Sequence, residues 1–207
     1  MHLKSTLSLI SGILFVAAFV PYIRAIVRDR NLPTGSPDKT EPEKATWIIW
    51  TLLDTMTLTG MFVKHTVNGQ IVGAVLGAWI TLVLALKYGK PGWKRLDKIC
   101  LGSAILGIVL WKVTHNPLIG MTVSLTLTFI GALPTFASSW KDPSKEDRTA
   151  WTIFFISCVV AMFAIPRATI ADAAQPTTFF VIETVMVIIL YLRPRMLVQR
   201  VEFHLDQ

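Results

Sequence analysis

Two acidic residues stand inside apolar stretches of this chain, where a carboxylate has no water to solvate it: Asp54, in the run 46–63, and Glu183, in the run 176–192. An acid near the middle of a bilayer-spanning helix costs about 2.5–3.5 kcal/mol on insertion scales, so it turns toward an interior. Protonation removes that cost, which suits such a group to binding a solute or coupling its movement to protons or cations. The competing reading for both acids is structural: a protonated carboxyl bonded to a neighbouring threonine or carbonyl that holds helices together. Trp47, Trp50 and Asp54 recur at i, i+3 and i+7, one stripe of a helix that Met61 extends, and the matching stripe further on is Trp151, Phe154, Cys158 and Ile165. Trp50 and Trp79 are candidate walls of a solute pathway. Trp79 lies roughly opposite a ridge of Gly69, Gly73, Gly77 and Thr81, whose small size lets a neighbouring helix approach closely, so its ring faces either the pathway or lipid. Pro21 and Pro134 each remove a backbone donor near the end of an apolar run and are candidate hinges.

No pattern points to an enzyme. His2, His65, His115 and His204 are scattered over ends and loops, with no pair at metal-ligand spacing on one helix. No glycine loop built to cradle phosphate follows a strand, and no nucleophile has a base beside it. Neither a metal nor a cofactor is expected. Cys100 and Cys158 read as small apolar residues, with neither oxidant nor geometry favouring a disulfide.

The elements that must carry these residues are long and apolar. Of the 207 residues 53% are hydrophobic and only 16% charged, too little charge to cover a soluble globule, so the chain belongs in a bilayer. Its apolar runs, 6–27, 46–63, 70–88, 97–113, 117–139, 149–166 and 176–192, each approach the length that crosses the hydrocarbon, which predicts seven transmembrane helices. A net charge of +7 would also suit nucleic acid, but the basic residues are distributed by side. Sixteen of the twenty Lys and Arg follow the first, third, fifth and seventh runs, leaving only Lys4, Lys64, Lys112 and Arg167 for the opposite face. The positive-inside rule therefore predicts an external amino terminus, a cytoplasmic carboxyl terminus and no nucleic-acid partner. Loop 1, from Asp29 to Lys44, reads as a solvated link rich in proline and charge.

The first half is echoed by the second. Pro21-Tyr22, a charged loop and Thr46-Trp47 recur as Pro134-Thr135, a charged loop and Ala150-Trp151. The duplication predicts a three-helix bundle over 1–88, a linker helix over 89–115 and a second bundle with a short cytoplasmic tail over 116–207, an all-α arrangement of 3+1+3 parallel repeats. With Pro21-Tyr22-Ile23-Arg24, Pro42, Thr46-Trp47-Ile48-Ile49-Trp50, Leu133-Pro134-Thr135-Phe136 and Ser139-Trp140, the chain resembles the SWEET and PQ-loop (MtN3) superfamily and, closer still, small bacterial seven-helix membrane proteins. The glutamine of the PQ motif is Tyr22 in one copy and Thr135 in the other. The resemblance implies a carrier in the bacterial inner membrane that moves a small polar solute by alternating access, with Pro21 and Pro134 as hinges. A non-transporting receptor or assembly protein with a basic cytoplasmic face is the alternative, and a homo-oligomer is compatible with either.

Overall fold

The structure, a computed structural model, describes residues 2–205 other than 34, 35, 37, 38, 41, 43, 90–94, 144 and 145, and the side chains of the same residues except 96, 97, 100, 134, 138 and 195–205. These residues form helices α1 (His2–Arg28), α2 (Lys44–Val63), α3 (Gly69–Tyr88), α4 (Arg95–Thr114), α5 (Pro117–Lys141), α6 (Arg148–Ala164) and α7 (Ile170–Leu205), and no strand occurs among them. Segments of α1, α2, α3, α5 and α7 are long and apolar enough to cross a membrane, and Leu101–Thr114 and Arg148–Ala164 are shorter apolar helices. The protein is thus a helical, multi-pass membrane protein.

Helix ends follow local chemistry. The Asn68 side chain accepts the Ile71 N–H at the start of α3, and Asp147 accepts that of Ala150 at the start of α6. At the end of α2 the Thr66 N–H reaches the Met61 carbonyl while His65 takes a left-handed φ of 56°, a turn usually given to glycine. The sequence places the last helix at 176–192, but α7 starts at Ile170, because the Thr169 hydroxyl and carbonyl accept from the N–H groups of Asp172 and Ala173 and begin the coil upstream of Pro176. It then runs on through Pro194.

Six helices close into a ring in the order α1, α3, α2, α5, α7, α6, and α4 packs outside it against α5 and α2. The α1–α3 crossing is tight because Gly12, Gly69 and Gly73 put backbone against backbone: a Cβ on any of them would strike the main chain of the other helix. The Ser8 hydroxyl accepts the Gly69 N–H at 2.7 Å in the same crossing. Between neighbours around the ring, the Ser124 hydroxyl donates to the Leu53 carbonyl at 2.5 Å from α5 to α2, and that of Ser157 to the Ser11 carbonyl at 2.7 Å from α6 to α1. Ser11, Ser124 and Ser157 are fully buried.

Loop 1 is more than a solvated link. The Asp29 carboxylate accepts from Arg28 Nε at 2.6 Å and from the Thr40 hydroxyl and N–H at 2.8 and 3.2 Å, clamping the loop across eleven residues. Those three donors hold the Asp29 carboxyl well below the usual carboxylate range, against the opposing effect of burial. Further along, the Pro42 carbonyl lies against Gly89 at the end of α3.

Candidate functional site

The ring encloses one polar region and one aromatic region. At the end that carries Lys4 and the α2–α3 and α6–α7 connections, a cavity of about 300 Å³ opens among α1, α6 and α7, with Lys4, Ser8, Ser11, His65, Asn68 and Asp172 in its wall. Lys4 Nζ donates to the carbonyls of Ile165 and Pro166 at 2.8 and 3.2 Å, satisfying the carboxyl end of α6. Asp172 is paired with Arg167 at 2.9 Å and accepts the Thr169 hydroxyl, so neither charge stands alone in the wall.

Behind Asn68 the polar lining continues inward. Asn68 Nδ2 donates to Gln175 Oε1 at 2.9 Å, Gln175 Nε2 to Gln70 Oε1 at 3.1 Å, and Gln70 Nε2 to Cys158 Sγ at 3.0 Å. Gln70, Gln175 and Cys158 have no exposed surface. Cys158 is therefore a hydrogen-bonded polar group rather than the inert apolar residue its type suggests. Glu183, two turns beyond Gln175 on α7, lies near enough to act electrostatically on Cys158, is 7% exposed, and keeps Oε2 without a partner among the described residues. An unpartnered buried carboxyl oxygen is costly to keep.

Toward the opposite end the ring is filled with aromatic rings. Phe154 packs on Phe15 and Phe19 with centroids 4.7 and 5.1 Å apart, Phe15 meets Phe179 at 5.6 Å, and Trp47 joins Phe19 and stacks on Tyr22. These rings form a packed aromatic plug on the side of loop 1. On its margin the Glu146 carboxylate accepts the Trp151 indole N–H at 2.9 Å, yet partial burial still holds that acid above its ordinary range.

The predicted residues fall into three environments. Asp54 lies midway along α2 on the stripe of Trp47, Leu58 and Met61, all of which pack on the central apolar cluster, so it faces the ring interior. It keeps part of its surface open, and no hydrogen bond or ion pair reaches it among the described residues. Asp54 and Glu183 share the interior, but no hydrogen bond joins them. Trp50 packs instead between α2, α4 and α5 with Leu53, Ala104 and Leu127, edge-on to Trp47. Trp79 stands apart: it is 50% exposed on the outer stripe of Val72, Leu76 and Val83, and its indole N–H donates to the Thr55 hydroxyl at 3.2 Å. Of its two sequence-level orientations, the outward one is observed. Pro21 is half-buried inside an unbroken α1, and Pro134 lies within α5 with its side chain outside those described.

Asn68, Gln70 and Gln175 were not singled out by sequence pattern. Each glutamine alone is an ordinary polar residue near a helix start. One signal was available: each is a neutral amide placed in the first two turns of an apolar helix, Gln70 in α3 and Gln175 in α7.

Comparison with known proteins gives a local likeness. The chain is 35% identical over 71 residues to the "Fluoride-specific ion channel FluC" of Bordetella avium (strain 197N), a stretch covering 32% of this chain and 56% of that protein. The chain thus spans about half the length of the curated relative it matches. No family model matches the chain and no solved structure matches it. The likeness is thus to part of a bacterial membrane ion channel.

Proposed function

We propose that this protein is a carrier of the bacterial inner membrane that moves a small polar solute by alternating access, with Asp54 and Glu183 as binding or coupling groups. The observation that carries the reading is the asymmetry of the ring: a polar cavity enters from one end, and an aromatic plug closes the other. That is what one limb of an alternating cycle requires. The ring order supports a 3+1+3 repeat, since α3 lies between α1 and α2 as α7 lies between α5 and α6, and α1 meets α6 as α2 meets α5. Seven spans with the amino terminus outside follow from the distribution of Lys and Arg, and the cavity then faces outward. In this reading Pro21 and Pro134 are hinges beside the plug, and Trp50 is a wall on the α2–α5 side.

The test is flux in proteoliposomes over a panel of small polar solutes, with and without a pH gradient. Wild-type protein should move at least one solute, and Asp54→Asn should abolish the movement or its response to pH. Equal rates for both proteins across the panel reject the reading.

The likeness to a fluoride-specific ion channel supports a second reading, a conduit for a halide. The hydroxyl and amide groups of the cavity wall would serve an anion, but two interior carboxyl groups oppose one unless both are protonated. Fluoride efflux from the same liposomes decides between them.

A further inference from the structure

The run from Asn68 to Cys158 has a fixed direction. A backbone N–H can only donate, and that of Ile71 is accepted by Asn68 Oδ1 at 3.0 Å. Asn68 therefore has only its NH₂ group to offer Gln175, which must present its carbonyl oxygen there and its NH₂ group to Gln70. Gln70 in turn must present its NH₂ group to the Cys158 sulfur. One capping bond at the start of α3 thus orients three amides and leaves no freedom to flip any one of them without breaking a neighbour's bond.

The place of the run matters as much as its direction. α3 and α7 stand opposite each other in the ring, so the Gln70–Gln175 bond spans it. On one side Asn68 lines the cavity; on the other lie Cys158 and the unpartnered Glu183 Oε2. Both glutamines are wholly buried, and the other polar link between these helices among the described residues is the adjoining Asn68–Gln175 bond of the same run.

We propose that Gln70 and Gln175 are the access- and specificity-determining residues of the ring: their bond closes the cavity toward Glu183. A solute passes only by taking over amide hydrogen bonds on both sides at once. A neutral group with a donor and an acceptor on neighbouring atoms, such as a primary amide, can do this. A bare halide, an acceptor alone, cannot. The assignment rests on the carrier reading for its meaning but not for its test.

Cys158 sits directly behind the closure and reports on it. In full-length protein carrying Cys100→Ser, reconstituted in liposomes, the rate at which a membrane-impermeant methanethiosulfonate reagent modifies Cys158 is measured from each side. Modification should be slow in this parent and about tenfold faster in Gln70→Ala and Gln175→Ala, from the cavity side only, as when one net hydrogen bond no longer opposes opening. Leu82→Ala, a core change elsewhere on α3, controls for general loosening and should leave the rate unchanged. Excess acetamide should speed modification of the parent, and fluoride should not. The proposal is overturned if the glutamine variants match the parent, if Leu82→Ala accelerates labelling equally, if access comes from the plug side, or if acetamide and fluoride act alike. Should labelling behave as expected while no solute moves in flux assays, the carrier reading fails and the closure stands.

Discussion

The two halves of the ring share their mutual contacts and differ in their interiors. Ser124 stands ten residues before Pro134 as Ser11 stands ten before Pro21, and Leu53 follows Trp47 by six residues as Ser157 follows Trp151. These matched positions carry the two hydroxyl–carbonyl bonds that join the halves, one on each side of the ring. Inside each half the match breaks down. Gly12 brings α1 onto the backbone of α3, whereas the corresponding residue of α5 is Leu125, a side chain packed in the core. Asp54 likewise corresponds to Cys158. Where α1–α3 meet α5–α7 the two contacts are alike; inside each trio the residues differ, so that only α2 brings an acid to this position.

Breaking the glycine crossing should have the largest effect. Gly12→Leu forces a side chain into the main chain of α3 at Gly69, which cannot yield as a flexible side chain would, and costs about 3 kcal/mol or more. The expected outcome is loss of monodisperse protein on size exclusion in detergent, while Leu125→Met at the matched position of α5 keeps the volume and stays folded. Next comes the interior contrast. Asp54→Asn should lower solute flux by about tenfold or more, as when one charge-dependent step of the cycle is removed, while Cys158→Ala changes it far less. If the two substitutions are equally damaging, the halves contribute alike and the contrast is false.

Smaller effects sharpen the likeness at the contacts. Ser124→Ala and Ser157→Ala should each cost about 1 kcal/mol in denaturant unfolding, with Ser124→Ala the larger because its hydroxyl also accepts that of Thr57 at 2.8 Å. A loss at only one of them would show that the halves are joined unequally. The smallest effect is confined to loop 1. Because the folded Asp29 carboxyl is held below its unfolded value, the clamp is complete above the ordinary carboxylate range and is lost only as pH falls through the depressed folded value. Limited proteolysis of loop 1 should therefore be unchanged from neutral pH to about pH 4 and rise below it. Thr40→Ala should move that onset to higher pH.

Much of this architecture was legible from the chain because it is local. Runs of apolar residues set all seven helices within a few positions, apart from α7, where Pro176 masked a start that Thr169 nucleates upstream. The Gly69–Gly73–Gly77 ridge was readable as a packing face, and Gly12 supplies its partner. Asp54 and Glu183 announced themselves by charge in apolar surroundings, and both face inward. The amide run was not legible, since it depends on the relative rotation of α3, α6 and α7, whose members lie as far as 107 residues apart. Nor could the orientation of Trp79 be read, because a mid-helix indole fits lipid or pathway equally until Thr55 is seen to accept its N–H. The Asp29–Thr40 clamp escaped for a similar reason: loop composition predicts solvation but not one carboxylate that gathers the chain around it.

The outward position of Trp79 gives the protein its own optical depth gauge. An indole whose N–H is already satisfied by Thr55 has no need to seek the headgroups, so it rests among acyl chains near the middle of α3. In a variant whose six other tryptophans are replaced by phenylalanine, lipids brominated at successive carbons along the chain should quench its fluorescence most strongly near the bilayer centre, marking how high this helix rides without any label being attached.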